Sequence, residues 1–179
     1  MTTNQPEPWL RGPLPGISGL LQPAAHAFLL AKEDTDVAVS GISAAQLWIK
    51  PGGAASLGFH LMHLAGSTDR LLTYARGEPL SEAQRAAMTA EKGPKRPAPS
   101  LEELLGQWRF TVEAALRQLA ATPETALNET RLVGRAQLPS TVLGLIFHAA
   151  EHAQRHVGQI VSTSRIIKGL NMVEPSAES

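Results

Sequence analysis

From Ser140 to Lys168 the chain runs without a proline, and its apolar residues recur at helical spacing. A helix advances about 100° per residue. With Val142 at zero, Ile146, Ala149, Ala153, Val157, Ile160, Ser164 and Ile167 fall within about 60° of it. One stripe sustained over this length predicts a long amphipathic helix that needs partners along its whole buried face. Pro139 and Ser140 read as its start signal.

Three more long helical patterns supply the partners. Residues 17–41 are rich in Ala and Leu, with Pro23 near a helix start or at a kink and Gly41 as a stop. Residues 54–77 form a second strong pattern, closed by Gly77. Residues 100–121 open on Ser100 and Glu103, the spacing of a capping box. Between them lie a Pro-Gly connector, a short helical piece with Ser81 as N-cap, and the loop EKGPKRPAPS at 91–100. The stretch TRLVGRAQLP is a short extended piece inside a polar segment. The expected fold is all-α: a four-helix bundle with short additional helical segments. An extended arm at 1–16 precedes a bundle domain at 17–170, and a polar tail at 171–179 follows it.

Composition narrows the chemistry. Lys+Arg and Asp+Glu are both 16, so no charge excess marks the chain for nucleic acid or an anionic membrane. Cysteine is absent, which removes disulfides, iron–sulfur clusters and a thiolate nucleophile. Any bound metal must use imidazole, carboxylate, carbonyl or water. No apolar run approaches the roughly 20 residues of a membrane span. Residues 1–16 lack the apolar centre of a signal peptide, so the expected setting is cytoplasmic.

Half of the chain's six histidines sit in IFHAAEHAQRHVGQI, at His148, His152 and His156. On the helix defined above, His156 lies inside the core arc at about 40°, His152 at its edge at about 80°, and His148 beyond it at about 120°. His152 and His156 can therefore face the bundle together, about 6 Å apart along the axis. That spacing lets two imidazoles share one ion. It equally suits two unrelated polar residues. The second helix offers His60 and His63. Its apolar stripe is Leu57, Leu61, Leu64, Ala65, Thr68, Leu72 and Ala75. His60 borders that stripe, whereas His63 lies nearly opposite, with Gly66, Ser67, Arg70 and Tyr74. Either that face is wet or it lines a cavity, in which case Arg70 and Tyr74 could meet an anionic or phenolic substrate. His26 has no partner by spacing.

HLAGS in the second helix, followed far downstream by HAQRHVGQ, resembles the DinB-like family. The resemblance runs over about residues 20–168. It implies a four-helix bundle, often dimeric, with a divalent metal held by three histidines, one from the second helix and two from the last. Carried over by motif, these are His63, His152 and His156, although the stripe slightly favours His60. The implied metal is zinc or nickel. Relatives of this family include S-transferases that use low-molecular-weight thiols such as bacillithiol or mycothiol, among them a mycothiol-dependent maleylpyruvate isomerase, and others are described as metal-dependent hydrolases. The expectation is therefore a metal-dependent thiol S-transferase or hydrolase acting on a small molecule as a homodimer, with no nucleic-acid or membrane partner. The alternative is a non-catalytic metal-binding or stress-response bundle. Val157 stands where many family motifs carry arginine. Glu151 is a weak choice for a general base, since it points about 100° away from His152. Gln159 could hydrogen-bond near the site or serve a dimer surface.

Overall fold

A computed structural model of the chain describes residues 5–91 and 97–170. It contains α1 (Gln22–Ala38), α2 (Ala44–Leu47), α3 (Leu57–Ala75), α4 (Glu82–Ala90), α5 (Leu101–Ala121) and α6 (Val142–Leu170), with strands β1 (Thr130–Val133) and β2 (Leu138–Thr141) before α6. The all-α expectation holds, and β1 and β2 form a single antiparallel pair. No helix among the described residues is long and apolar enough to cross a membrane.

Local signals set most boundaries. Ser81 and Ser100 each accept a hydrogen bond from the third residue of their helix, while Gln84 and Glu103 reach back to the cap N–H. Each capping box satisfies two donors that a helix start leaves free. Gly77 follows α3 with φ +78°, a conformation that glycine adopts without penalty. Pro23 sits in the first turn of α1, where its missing N–H costs nothing. The 42–55 connector holds more structure than expected, since Ser43 and Gln46 build a capping box for α2.

Three expectations need correction or restriction. Pro139 and Ser140 do not start α6. Pro139 lies in β2, opposite Leu132, and the helix begins at Val142. A two-stranded sheet is all edge, so a proline without an N–H is tolerated there. The capping role passes to Thr141, whose Oγ1 accepts from the N–H of Gly144 at 3.0 Å. Second, the N-terminal arm is not simply extended. It makes a 3₁₀ turn at Pro8–Leu10 and lies on α1, held by a bidentate Arg11–Glu33 pair and by His26 Nε2 against the Gly12 carbonyl. Third, the tail at 171–179 and positions 92–96 of the expected 91–100 loop lie outside the described residues.

The four long helices form a ring in the order α1, α6, α3, α5. Cross-links give their directions. Gln154 bonds the Ala27 carbonyl and Ser164 that of Ala38, so α1 and α6 run parallel. His60 meets His156 and His63 meets His152, so α3 and α6 run antiparallel. Leu61 and Leu104 line one cavity, and Gln118 bonds the Leu72 carbonyl, so α3 and α5 run parallel. The path is up, down, down, up. Two parallel neighbours need a connection that travels back along the bundle. That crossover carries α4 along the polar face of α3.

The predicted stripes are the buried ones. Leu57, Leu61, Leu64 and Leu72 of α3 share one buried core with Ile146, Val157, Ile160 and Ile167 of α6 and with Phe28 and Trp108. Burial of one such aliphatic side chain contributes about 1.5–3 kcal/mol. The interior therefore fixes the angular position of α3 and α6, and with it the direction of their histidines.

Candidate metal centre

His63 from α3 and His152 and His156 from α6 each offer a ring nitrogen, and these nitrogens lie within 4.8 Å of one another. His152 and His156 stack one turn apart, with ring centres at 4.6 Å. His63 comes to 4.6 Å from His156 and 5.2 Å from His152. The α3 face opposite the apolar stripe is thus not a wet face. The antiparallel α6 covers part of it, and the crossover covers the rest.

Gln84 and Glu91 fasten that crossover. Gln84 Nε2 donates to Asp69 Oδ2 and Thr73 Oγ1, both at 2.7 Å. Glu91, at the C-terminus of α4, accepts from Arg70 Nη1 at 2.6 Å and lies 2.8 Å from His63 Nδ1. So α4 runs antiparallel to α3 and delivers a carboxylate to the back of His63. Glu91 and Arg70 are 8% and 9% exposed, so each charge needs the other. Gly66 makes room for them. A Cβ there would press on Glu91 Oε1 and stand 2.8 Å from Arg70 Nη1. We expect Gly66→Ala to lower unfolding stability by about 1–3 kcal/mol through overpacking at this pair. Urea unfolding measures it, and an unchanged midpoint would contradict the contact.

The hydrogen bonds also say which nitrogens face the cluster. His63 donates its Nδ1–H to Glu91, so Nε2 is left with a lone pair toward the cluster. His156 Nδ1 sits 3.1 Å from His60 Nδ1, which again leaves Nε2 on the cluster side. His152 has no hydrogen-bond partner among the described residues, and its Nδ1 is sealed from solvent. A buried imidazole nitrogen without a partner costs about 1–3 kcal/mol. An ion among the three rings would give a His152 ring nitrogen the partner that the described residues do not. Among the described residues no carboxylate enters the cluster, and this all-nitrogen donor set suits zinc, nickel, copper or iron. The residues fit a divalent ion.

Electrostatics keep His152 and His156 in the ligand state, which is neutral. Burial, followed by the neighbouring His63, His152 and His60, pushes the His156 pKa down to about 4. Burial, then His148 and His63, lowers that of His152. Burial opposes ionisation of Glu91, but hydrogen bonds from His63 and Arg70 outweigh it and hold its pKa below the ordinary value. These shifts set a pH dependence for the metal-free protein. Between the unfolded pKa of 6.5 and the folded value of about 4, unfolded His156 binds a proton that folded His156 refuses. Stability therefore falls as pH drops through that window. Glu91 adds to the loss from the acid end of that window downward, because the unfolded carboxyl is protonated first. Urea midpoints of metal-free protein should decline steadily from pH 7 to pH 5, and a flat profile would contradict the assignment.

The remaining sequence candidates fall elsewhere. His60 is 6% exposed and lies behind His156. His148 is exposed and pairs with Glu151 at 2.7 Å, and Glu151 also binds Arg155. Arg70 is committed to Glu91. Tyr74 packs half-buried against the core with no hydrogen-bond partner among the described residues. Gln159 is exposed and lines a cleft of about 630 Å³ together with His60, His156, Arg155, Ser162 and Thr163. A second cavity, about 410 Å³, lies between α3, α4 and α5 and is bordered by Arg70 and Glu91. Sequence reasoning missed Glu91. It is 28 positions from His63 and sat at the head of a stretch expected to be loop, so no local spacing marked it.

The downstream pair, the upstream histidine at the right interval and the helical ring that joins them are also the pattern of a known family. A family model of the DinB superfamily matches residues 27–160. The chain belongs to the DinB superfamily. No curated protein matches it. The matched span includes His63, Glu91, His152 and His156, and membership together with the three-histidine cluster fits a metal-binding helical protein.

Proposed function

We propose that this DinB-superfamily chain is a divalent-metal-dependent enzyme whose ion, zinc or nickel, is held by His63, His152 and His156, and that it transfers a thiol to a small electrophile. The observation that carries this reading is the convergence of three imidazoles with no carboxylate among them. When bound, a divalent ion with only neutral ligands keeps its full charge and lowers the pKa of a thiol or water in contact with it.

The chain's own groups favour the thiol over water. A free thiol ionises near pH 8.5, whereas water needs a shift from 15.7. Hydrolysis therefore gains more from a nearby general base. Both neighbouring carboxylates are engaged: Glu91 by His63 and Arg70, and Glu151 by Arg155 and His148. Neither is free to take a proton from substrate. Hydrolysis by the same centre is the second reading. Glu91 orients His63 and neutralises Arg70, so the contribution of Arg70 is to hold Glu91. The cleft beside His156 gives a small substrate room, and its Gln159, Ser162 and Thr163 side chains offer hydrogen bonds to a polar end. The partners in this reading are a low-molecular-weight thiol and a second copy of the chain, with no nucleic acid and no membrane.

The test is turnover by metal-loaded protein with a panel of low-molecular-weight thiols and electrophiles, beside activated esters, read by mass spectrometry. Thioether product formed by wild type and lost in His63→Ala is the expected result. Ester cleavage alone would move the assignment to the hydrolase. Full metal loading with no turnover of any pair would leave a non-catalytic metal-binding bundle.

A further inference from the structure

His60 has no part in the three-histidine cluster, yet it is more deeply buried than a polar ring needs to be, and its Nδ1 lies 3.1 Å from His156 Nδ1. At that distance one nitrogen carries the proton and the other accepts it. The two arrangements have opposite consequences. If His60 donates, His156 must carry its own proton on Nε2, aimed into the cluster, where it blocks coordination. If His156 donates, its Nε2 is bare.

We propose that His60 is a positioning residue for His156, its Nδ1 accepting the Nδ1 proton of His156 so that Nε2 is presented to the centre. The inference rests on reading that centre as a metal site. Surroundings favour this direction. The accepting tautomer puts the proton of His60 on Nε2. That atom is neither hydrogen-bonded within the described residues nor sealed from solvent, and His60 lines the 630 Å³ cleft with Gln159, Ser162 and Thr163. Water or substrate there can accept the proton. In the opposite arrangement it would face His63 Nε2 and His152 across a cluster that needs lone pairs. His60 thus does for His156 what Glu91 does for His63, and two of the three rings are oriented from behind by an acceptor. Such outer partners fix ring orientation and the proton's location in metal-binding histidines. A neutral acceptor adds no charge behind His156, whereas Glu91 brings a charge that Arg70 balances.

The experiment uses the full chain and does not depend on turnover. Long-range proton–nitrogen correlation spectra of metal-free wild type at neutral pH read the tautomer of His156. A proton on Nδ1 is expected, and a proton on Nε2 overturns the proposal. Cobalt(II) titration then compares wild type, His60→Asn and His60→Leu, each checked for helical content and cooperative melting. Asparagine places an amide oxygen near the position of Nδ1, and leucine fills the space without an acceptor. His60→Leu should bind cobalt about 10–100-fold more weakly, with His60→Asn within a few-fold of wild type. Equal affinity of His60→Leu and wild type, or equal loss in both folded variants, overturns the positioning role. Wild type that takes up no cobalt removes the metal reading instead, and the wild-type spectrum still decides for or against His60.

Discussion

Glu91→Ala is expected to destabilise the protein by about 3–5 kcal/mol, because it strands the buried guanidinium of Arg70 without a counter-charge. The same change removes the acceptor behind His63 and should weaken metal binding about 10–100-fold. The two effects separate in a double variant. Replacing a buried ion pair by apolar residues of similar size is often neutral or stabilising. Glu91→Leu with Arg70→Met should therefore recover most of the lost stability, while metal affinity stays low. Urea unfolding reads the first quantity and competition against a metal-binding dye reads the second. Wild-type stability in Glu91→Ala would show that the pair does not hold the crossover. Wild-type metal affinity in the double variant would show that Glu91 has no part in orienting His63.

Metal removal should produce the other large effect. An ion that binds only the folded state, at a free concentration about 1,000 times its Kd, stabilises by about 4 kcal/mol. For a chain of this size each kcal/mol moves the melting temperature by about 2–4 °C, so a rise of about 8–16 °C on adding zinc or nickel to stripped protein is expected. The single variants His63→Ala, His152→Ala and His156→Ala should lose most of that rise. His148→Ala should keep it, because His148 faces solvent and pairs with Glu151. A wild-type melt that ignores zinc and nickel alike would contradict the site.

Residues with local causes were legible in the sequence. The α6 stripe from Val142 to Ile167 and the α3 stripe from Leu57 to Ala75 are buried as their spacing predicts, because one helical period determines one face. The N-cap at Ser81 and the capping box at Ser100 are likewise sequence-local chemistry. The choice between His60 and His63 was not legible from the stripe. The stripe ranks burial, and His60 is indeed the more buried of the two. A ligand must instead face the neighbouring helix at a place where an ion can enter, and His63 does so from the opposite edge of α3. That edge is polar because α4 lies across it, and the position of α4 depends on the parallel placing of α3 and α5. Nothing within a helical repeat encodes that arrangement. Glu91 was hidden for the same reason, since it reaches His63 and Arg70 only through the crossover. The start of α6 failed on a smaller scale. Pro139 fits an edge strand as well as a helix start, and the pairing of Leu132 with Pro139 decides between them.

In the proposed centre, three imidazoles from two antiparallel helices hold one ion. Elemental analysis of protein purified without a histidine tag, wild type beside His156→Ala, tests it most directly. About one divalent ion per chain in wild type and none in the variant is the predicted result, as three protein ligands hold an ion that two do not retain through purification. No metal in either protein, even after reconstitution with zinc or nickel, would contradict the account.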